Sequence, residues 1–104
     1  MNTFDPAAAL EKLSIEYRER IDALCRDLAR SHSTDSTEQA LERENDEVLE
    51  ALLSEARIAL RRVEQAQERL HAGNYGNCTK CSEAIGFGRL AVMPMAERCV
   101  QCAE

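Results

Sequence analysis

Two C-x-x-C pairs near the C-terminus limit the possible folds of this chain more than any other feature. Cys78 and Cys81 form the first pair, Cys99 and Cys102 form the second, and seventeen residues separate the pairs. Pairs with this spacing can place four sulfur atoms at the corners of a tetrahedron, which is the closed ligand set of a structural zinc site. We therefore predict that these four cysteines bind one structural Zn²⁺ ion.

Two other interpretations of the cysteines are a disulfide pair and a thioredoxin-like redox motif. A redox motif needs one C-x-x-C pair on a βαβ unit, and no part of the sequence predicts such a unit. Residues 82–90, which follow the first pair, contain few apolar side chains. So small an apolar core does not stabilise a fold without a metal ion or another cross-link. Zinc binding would therefore supply part of the folding free energy of this region.

The residues around the cysteines resemble the zinc finger of the DksA/TraR family. The resemblance extends over residues 73–102, and beside the cysteines it rests on Tyr75-Gly76-Asn77, Ile85-Gly86, Arg89-Leu90, Pro94 and Ala96. In that family the finger is attached to a long coiled-coil hairpin, and the proteins bind bacterial RNA polymerase. The resemblance implies the same fold and a role in transcription regulation.

The N-terminal part of the chain predicts an amphipathic helix over about residues 6–31. Asp5 suits the N-cap position and Pro6 suits the first helical position. Apolar residues then recur three or four positions apart, which is typical of one buried helix face. These residues are Leu10, Leu13, Tyr17, Ile21, Leu24 and Leu28. The polar residues that follow, at about 32–37, predict a loop at the tip of a hairpin.

A second helix is predicted over about residues 38–72, with Gly73 as the left-handed residue that ends it. Its apolar stripe consists of Leu41, Asn45, Val48, Leu52, Ala56 and Ala59. Antiparallel pairing of the two stripes gives six layers, from Leu28 with Leu41 to Leu10 with Ala59. We expect the finger to cover the apolar residues near the end of this helix through Phe4, Tyr75, Ile85 and Leu90.

The predicted fold is therefore all-α. It consists of an antiparallel two-helix coiled-coil hairpin, residues 1–72, and a small C-terminal zinc finger with four cysteine ligands, residues 73–104, packed on the open end of the hairpin. Because the apolar faces of the two helices would cover each other, a hairpin of this kind favours a monomer.

Charge and composition exclude several classes of function. The formal net charge is -6, so the chain is a poor match for nucleic acid, and we expect no direct sequence-specific DNA binding. No apolar run is long enough to cross a membrane, and the N-terminus lacks the features of a signal peptide. We expect a cytoplasmic protein without membrane contact. Cys25, an unpaired fifth cysteine, fits a reducing compartment.

The resemblance gives the acidic residues at the predicted tip a function. Asp35, Glu38 and Ala40 match by position the family's tip motif Asp-x-x-Asp-x-Ala, with Glu38 in place of the second Asp. In the family, this tip enters the secondary channel of RNA polymerase and alters the stability of promoter complexes. The alternative is an ordinary helix cap, with Asp at the N-cap and Glu three residues later. On the residues alone the cap is the better interpretation, and the resemblance reverses that preference.

The resemblance also implies a site for guanosine tetraphosphate. Three basic residues of the family correspond here to Arg62, Met93 and Ala103, so only Arg62 keeps a positive charge. A polyphosphate needs several cations to offset its own charge. We therefore expect weak or no binding of this nucleotide, with Arg62 as a residual contact.

These inferences lead to one functional hypothesis and two alternatives. We expect a bacterial transcription regulator that binds RNA polymerase and has no enzyme activity. The first alternative is Gre-like stimulation of transcript cleavage, in which Asp35 and Glu38 would hold Mg²⁺ and orient water. The second alternative is a zinc-stapled structural or adaptor module that binds another protein.

Overall fold

The computed structural model of the protein describes residues 4–30 and 36–103, without the side chains of Ser36 and Thr37. The described residues form two long helices and one short one. These are α1, Pro6–Leu28, α2, Ser36–Ala72, and α3, Phe87–Val92.

The all-α class is confirmed for the described part of the chain. The β-type pairing found there is an isolated antiparallel bridge between Asn77 and Ala84, which is too short to make a strand. Within the same residues, none of the helices combines the length and the apolar character that crossing a membrane requires.

Local capping sets one end of each long helix, as predicted. The Oδ1 atom of Asp5 accepts a hydrogen bond from the N–H of Ala8 at 3.3 Å, so Asp5 is the N-cap of α1. At the end of α2, the N–H of Asn74 donates to the carbonyl of Arg69 at 3.0 Å, which is the long bond of a Schellman motif. Gly73 has a φ of 86°, a left-handed conformation that glycine adopts without steric cost.

The helix ends nearest the predicted tip differ slightly from expectation. α1 ends at Leu28 rather than at about residue 31, and α2 begins at Ser36 rather than at about residue 38. The N–H of Ala29 donates to the carbonyls of both Cys25 and Arg26, so the last turn of α1 tightens and the helix stops. Most of the predicted loop, including Asp35, lies outside the described residues.

The chain forms two compact units. We call Ile15–Leu60 the hairpin unit, and we call Met1–Ser14 together with Arg61–Glu104 the finger unit. Each long helix contributes residues to both units.

In the hairpin unit, α1 and α2 lie antiparallel along a shared groove of about 510 Å³. The side chain of Cys25 on α1 contacts the guanidinium of Arg57 on α2, with 4.0 Å between Sγ and Nη2. Leu24, Leu53 and Ala56 are buried and form the apolar core of this unit. The groove is lined by Tyr17, Arg20 and Leu24 of α1 and by Leu52, Glu55, Ala56 and Ala59 of α2.

The predicted apolar stripe of α2 is only partly correct. Leu41, Val48 and Leu52 are exposed, at 62%, 58% and 44%, whereas Ala56 is buried. Leu53, which the prediction left off the stripe, is also buried, so the buried face of α2 is rotated toward Leu53. Tyr17 and Leu52, which the prediction paired, both border the groove, and the register of the six layers stays a prediction.

The finger unit has its own apolar core, to which Phe4, Tyr75, Ile85 and Leu90 belong, and their predicted contact with the end of α2 stays a prediction. Phe4 and Tyr75 pack against this core, and the Phe4 ring meets the Phe87 ring edge to face with 5.6 Å between centroids. The buried members of the cluster are Cys78, Ile85, Leu90 and Ala96. One of the predicted metal ligands, Cys78, is therefore itself part of the core.

Candidate metal centre

The structure brings all four predicted zinc ligands together. The Sγ atoms of Cys78, Cys81, Cys99 and Cys102 all lie within 4.8 Å of one another, and those of Cys81 and Cys99 are 3.7 Å apart. In a tetrahedral zinc site with Zn–S bonds of about 2.3 Å, neighbouring sulfurs are about 3.8 Å apart. The four cysteines therefore fit one structural zinc ion.

Backbone hydrogen bonds fold the first pair into a tight turn. The N–H groups of Lys80 and Cys81 point at the Sγ atom of Cys78, at 3.4 and 3.5 Å. The N–H of Ser82 donates to the carbonyl of Cys78 at 2.9 Å, and the N–H of Cys78 donates to the carbonyl of Glu83 at 2.8 Å. This turn aims both sulfurs of the pair at the same point.

The second pair is folded in a similar way and is joined to the first. The N–H groups of Cys102 and Ala103 both donate to the carbonyl of Cys99, at 3.1 and 2.9 Å. The N–H of Thr79, inside the first pair, donates to the carbonyl of Glu97, just before the second, at 2.8 Å. The two turns are thus held side by side by the backbone as well as by their sulfurs.

Hydrogen bonding divides the proton affinities of the four thiols. The backbone N–H of Cys81 is the largest of several influences that lower the pKa of the Cys78 thiol to about 6. Hydrogen bonding with the Cys99 thiol is the main influence that raises the pKa of the Cys102 thiol to about 12. Among these two thiols, Cys78 therefore loses its proton more readily, and the thiolate is the form that binds a metal ion.

Ser82 closes the first turn in a strained conformation. Its φ is 67°, in the left-handed region that costs an L-residue about 1–2 kcal/mol. Sequence reasoning missed this strain because a serine after C-x-x-C carries no signal of its own backbone angle.

We expect Ser82→Gly to stabilise the zinc-loaded finger by about 0.5–1 kcal/mol, because glycine adopts this angle without strain. Ser82→Val should destabilise the finger, since a β-branched residue tolerates the angle poorly. Thermal unfolding of the two zinc-loaded variants beside the parent chain measures both effects. A lower unfolding temperature for Ser82→Gly would show that the serine side chain matters more than the backbone angle.

Polar contacts hold the C-terminal end of α2 to the finger within the finger unit. The Nη2 atom of Arg69 donates to the carbonyl of Ala96 at 3.5 Å. The Tyr75 hydroxyl donates to the carbonyl of Pro94 at 2.8 Å, and burial raises the pKa of this hydroxyl. The segment that leads into the second cysteine pair is therefore anchored on residues near the end of α2.

The predicted tip residues lie only partly within the described residues. Glu38 and Ala40 lie in the first turns of α2, and both are exposed. Asp35 lies outside the described residues, so its distance from Glu38 is not part of the described geometry. The pairing of these two carboxylates stays a prediction.

The three positions predicted from the nucleotide site border one cavity in the finger unit, of about 260 Å³. Arg62, Met93 and Ala103 line it, as expected from the resemblance, and so do Arg89 and Arg98. The Nε atom of Arg89 donates to the carbonyl of Arg98 at 3.0 Å. The Nε atom of Arg98 is buried and has no hydrogen-bond partner among the described residues.

Position-by-position reasoning missed Arg89 and Arg98 because neither occupies a basic position of the family's site. The fold of the finger brings both side chains to the cavity. The sequence pattern did not predict that fold in detail.

Comparisons with known proteins support this architecture over nearly the whole chain. The model of the prokaryotic dksA/traR C4-type zinc finger matches residues 73–104. The model of the DnaK suppressor protein-like N-terminal domain matches residues 7–70. Along the chain, the two matches follow one another in the order of the predicted hairpin and finger.

A solved structure and a sequence relative agree with these matches. The structure of transcription factor DksA2 from Pseudomonas aeruginosa is similar with a TM-score of 0.72 and 29% identity, over 92% of this chain and 72% of that one. An uncharacterised protein of Aquifex aeolicus is 36% identical over 59 residues, which are 57% of this chain and 41% of that protein. The match thus spans about two fifths of that relative. With its four clustered cysteines and its two family matches, the chain belongs to the DksA/TraR family of C4-type zinc-finger proteins.

Proposed function

We propose that this protein regulates transcription by binding RNA polymerase through the secondary channel of the enzyme. The observation that carries the proposal is the pair of family matches, which cover the hairpin and the finger in one chain. The similar solved structure is that of a transcription factor, and it aligns with 92% of this chain. A hairpin and a finger joined in one chain favour a regulator of this type over a zinc module of unrelated function.

The proposed roles of the two parts of the chain follow the domain boundary predicted from the sequence. Residues 1–72 would form the hairpin that reaches into the channel, and residues 73–104 would form the finger packed on its open end. Asp35, Glu38 and Ala40 would act near the polymerase active site. Zinc would be structural, since all four of its ligands come from the protein and leave no open position for chemistry.

The proposed role is regulatory and involves no reaction catalysed by this chain. Its partner would be a cytoplasmic enzyme, so the site of action would be the cytoplasm. Stimulated transcript cleavage by the polymerase itself is the second candidate, because an acidic tip could position a metal ion and water.

We further propose that guanosine tetraphosphate binds this protein weakly, next to Arg62. Met93 and Ala103 supply no charge at two of the family's three basic positions. Arg89 and Arg98 line the same cavity, so some attraction for a phosphate group remains.

Binding to purified core RNA polymerase tests the main proposal. We expect the zinc-loaded protein to be retained on immobilised core polymerase, and a Gre factor added in excess to displace it, because both would occupy the secondary channel. Retention without displacement would place the binding site elsewhere on polymerase. Absence of retention would favour the adaptor alternative, in which the stapled hairpin binds another protein.

A further inference from the structure

The exposed apolar residues of α2 form a continuous stripe in the hairpin unit. Successive residues of an α-helix are rotated by about 100°, so Leu41, Val48, Leu52 and Ala59 lie within about 40° of one direction. The first three are between 44% and 62% exposed. The stripe is about 27 Å long, and its second half is one wall of the groove that Tyr17 and the other α1 residues border.

The flank of the stripe that faces away from α1 is acidic. Glu44 and Glu47 lie on this flank by helical rotation, Glu55 borders the groove beside the stripe, and all three are exposed. Of the two basic residues of this part of α2, Arg57 falls on the other side of the helix, and Arg43 lies at the outer edge of the flank, four residues before Glu47. The stripe thus combines an apolar strip with a row of negative charges.

The same sign of charge dominates the whole hairpin unit. Its sequence contains twelve acidic and six basic residues, a net charge of -6, whereas the finger unit contains seven of each. The formal net charge of the chain, also -6, is therefore carried by the hairpin unit. Because the hairpin unit is negatively charged, an apolar strip on its surface favours a partner with positive charge.

We propose that this stripe is a docking surface for a cationic amphipathic helix of a partner protein. An apolar face on such a helix would cover Leu41, Val48 and Leu52, and lysines or arginines at its edge would lie against the acidic flank. A second copy of this chain fits poorly, because it would bring a second unit of net charge -6 against the first. An anionic membrane surface is disfavoured for the same reason.

This surface lies along the side of α2 and does not include the tip residues Asp35 and Glu38. The proposal therefore goes beyond the action proposed at the polymerase active site. It holds whether the partner helix belongs to polymerase or to another protein.

Binding of a designed peptide tests the proposal directly. The probe is a synthetic amphipathic helix of about 20 residues with leucines on one face, lysines elsewhere and a single tryptophan. The chain contains no tryptophan, so the fluorescence of the peptide reports binding without background. We expect saturable binding that weakens as salt is added.

A matched pair of variants separates docking from simple charge attraction. Leu41→Gln with Val48→Gln removes apolar contacts, keeps every charge and should weaken binding about tenfold. Ile15→Gln with Val92→Gln removes two exposed apolar side chains that lie outside α2, and it should leave the affinity nearly unchanged. Glu44→Gln, Glu47→Gln and Glu55→Gln together should reduce the salt dependence of binding.

Three outcomes would overturn the proposal. Equal loss of affinity in the stripe variant and the control variant would show that no particular face is used. Equal binding of a peptide with glutamates in place of the lysines would remove the argument from charge. Concentration-dependent dimerisation of the protein that disappears in the stripe variant would identify a second copy as the occupant.

Discussion

Replacing Cys99 by serine is expected to remove the zinc ion and unfold the finger. The parent chain should contain one equivalent of zinc, and the Cys99→Ser variant should contain almost none. Zinc binding supplies about 10–16 kcal/mol in finger peptides, and this energy is also the folding energy of the finger. Metal analysis of the purified protein gives the zinc content, and far-ultraviolet circular dichroism gives the helicity.

The helices should respond much less than the finger. Leu24, Leu53 and Ala56, which form the core of the hairpin unit, do not depend on a cysteine ligand. In contrast, the finger core includes Cys78 itself, so loss of the metal removes the point at which its two turns meet. Treatment of the parent chain with a strong chelator should reproduce the effect of Cys99→Ser.

Cys25→Ser is the matched control for this experiment. Cys25 belongs to the hairpin unit, where it contacts Arg57, and it is not one of the four clustered cysteines. Its replacement should leave the zinc content at one equivalent. Equal zinc loss in the Cys25 and Cys99 variants, or retention of zinc after Cys99→Ser, would contradict the ligand assignment.

The features that sequence reasoning predicted well are those governed by neighbouring residues. Asp5 caps α1 through a bond to an N–H three residues later, and Gly73 ends α2 because of its own backbone freedom. The zinc ligands follow the same logic, since two residues between cysteines suit a single metal-binding turn. In each case the chemistry needed for the prediction lies within a few positions.

The buried face of α2 could not be predicted in this way. α2 carries two apolar stripes one residue apart, one through Leu41, Val48 and Leu52 and one through the buried Leu53. Both stripes have helical spacing, so spacing alone does not show which of them faces α1. The choice depends on packing between distant parts of the chain, which periodicity does not measure.

The interior of the finger was also beyond prediction from sequence. α3, Phe87–Val92, has only six residues and contains a glycine, so its helical propensity is too low to signal a helix. Its Leu90 is buried in the core that the metal turns enclose. Tertiary structure stabilises this helix, and the same structure brings Arg89 to the cavity beside Arg62.

Neutralising the tip should abolish most of the regulatory effect while leaving the protein folded and bound to polymerase. The variant is Asp35→Asn with Glu38→Gln, which removes two charges and keeps the size of both side chains. Glu38 is exposed in the first turn of α2, so its replacement removes little packing. Loss of a helix cap would cost about 1 kcal/mol. The lifetime of promoter open complexes, measured with and without the protein, gives the effect.

A control variant with the same change in charge isolates the role of the tip. Asp22→Asn with Glu50→Gln removes two exposed carboxylates from the hairpin unit at positions away from the tip, and it should retain the full effect. A bulky residue in place of Ala40 should act like the tip variant, because a small side chain there allows close approach to polymerase.

An RNA cleavage assay on stalled elongation complexes separates the two candidate activities of the tip. Cleavage that appears with the parent protein and disappears with the tip variant would favour the Gre-like alternative, in which the tip carboxylates hold a metal ion and orient water. Unchanged open-complex lifetimes in the tip variant, with binding preserved, would mean that Asp35 and Glu38 only cap a turn. The regulatory activity would then have to come from the finger or from the side of the hairpin.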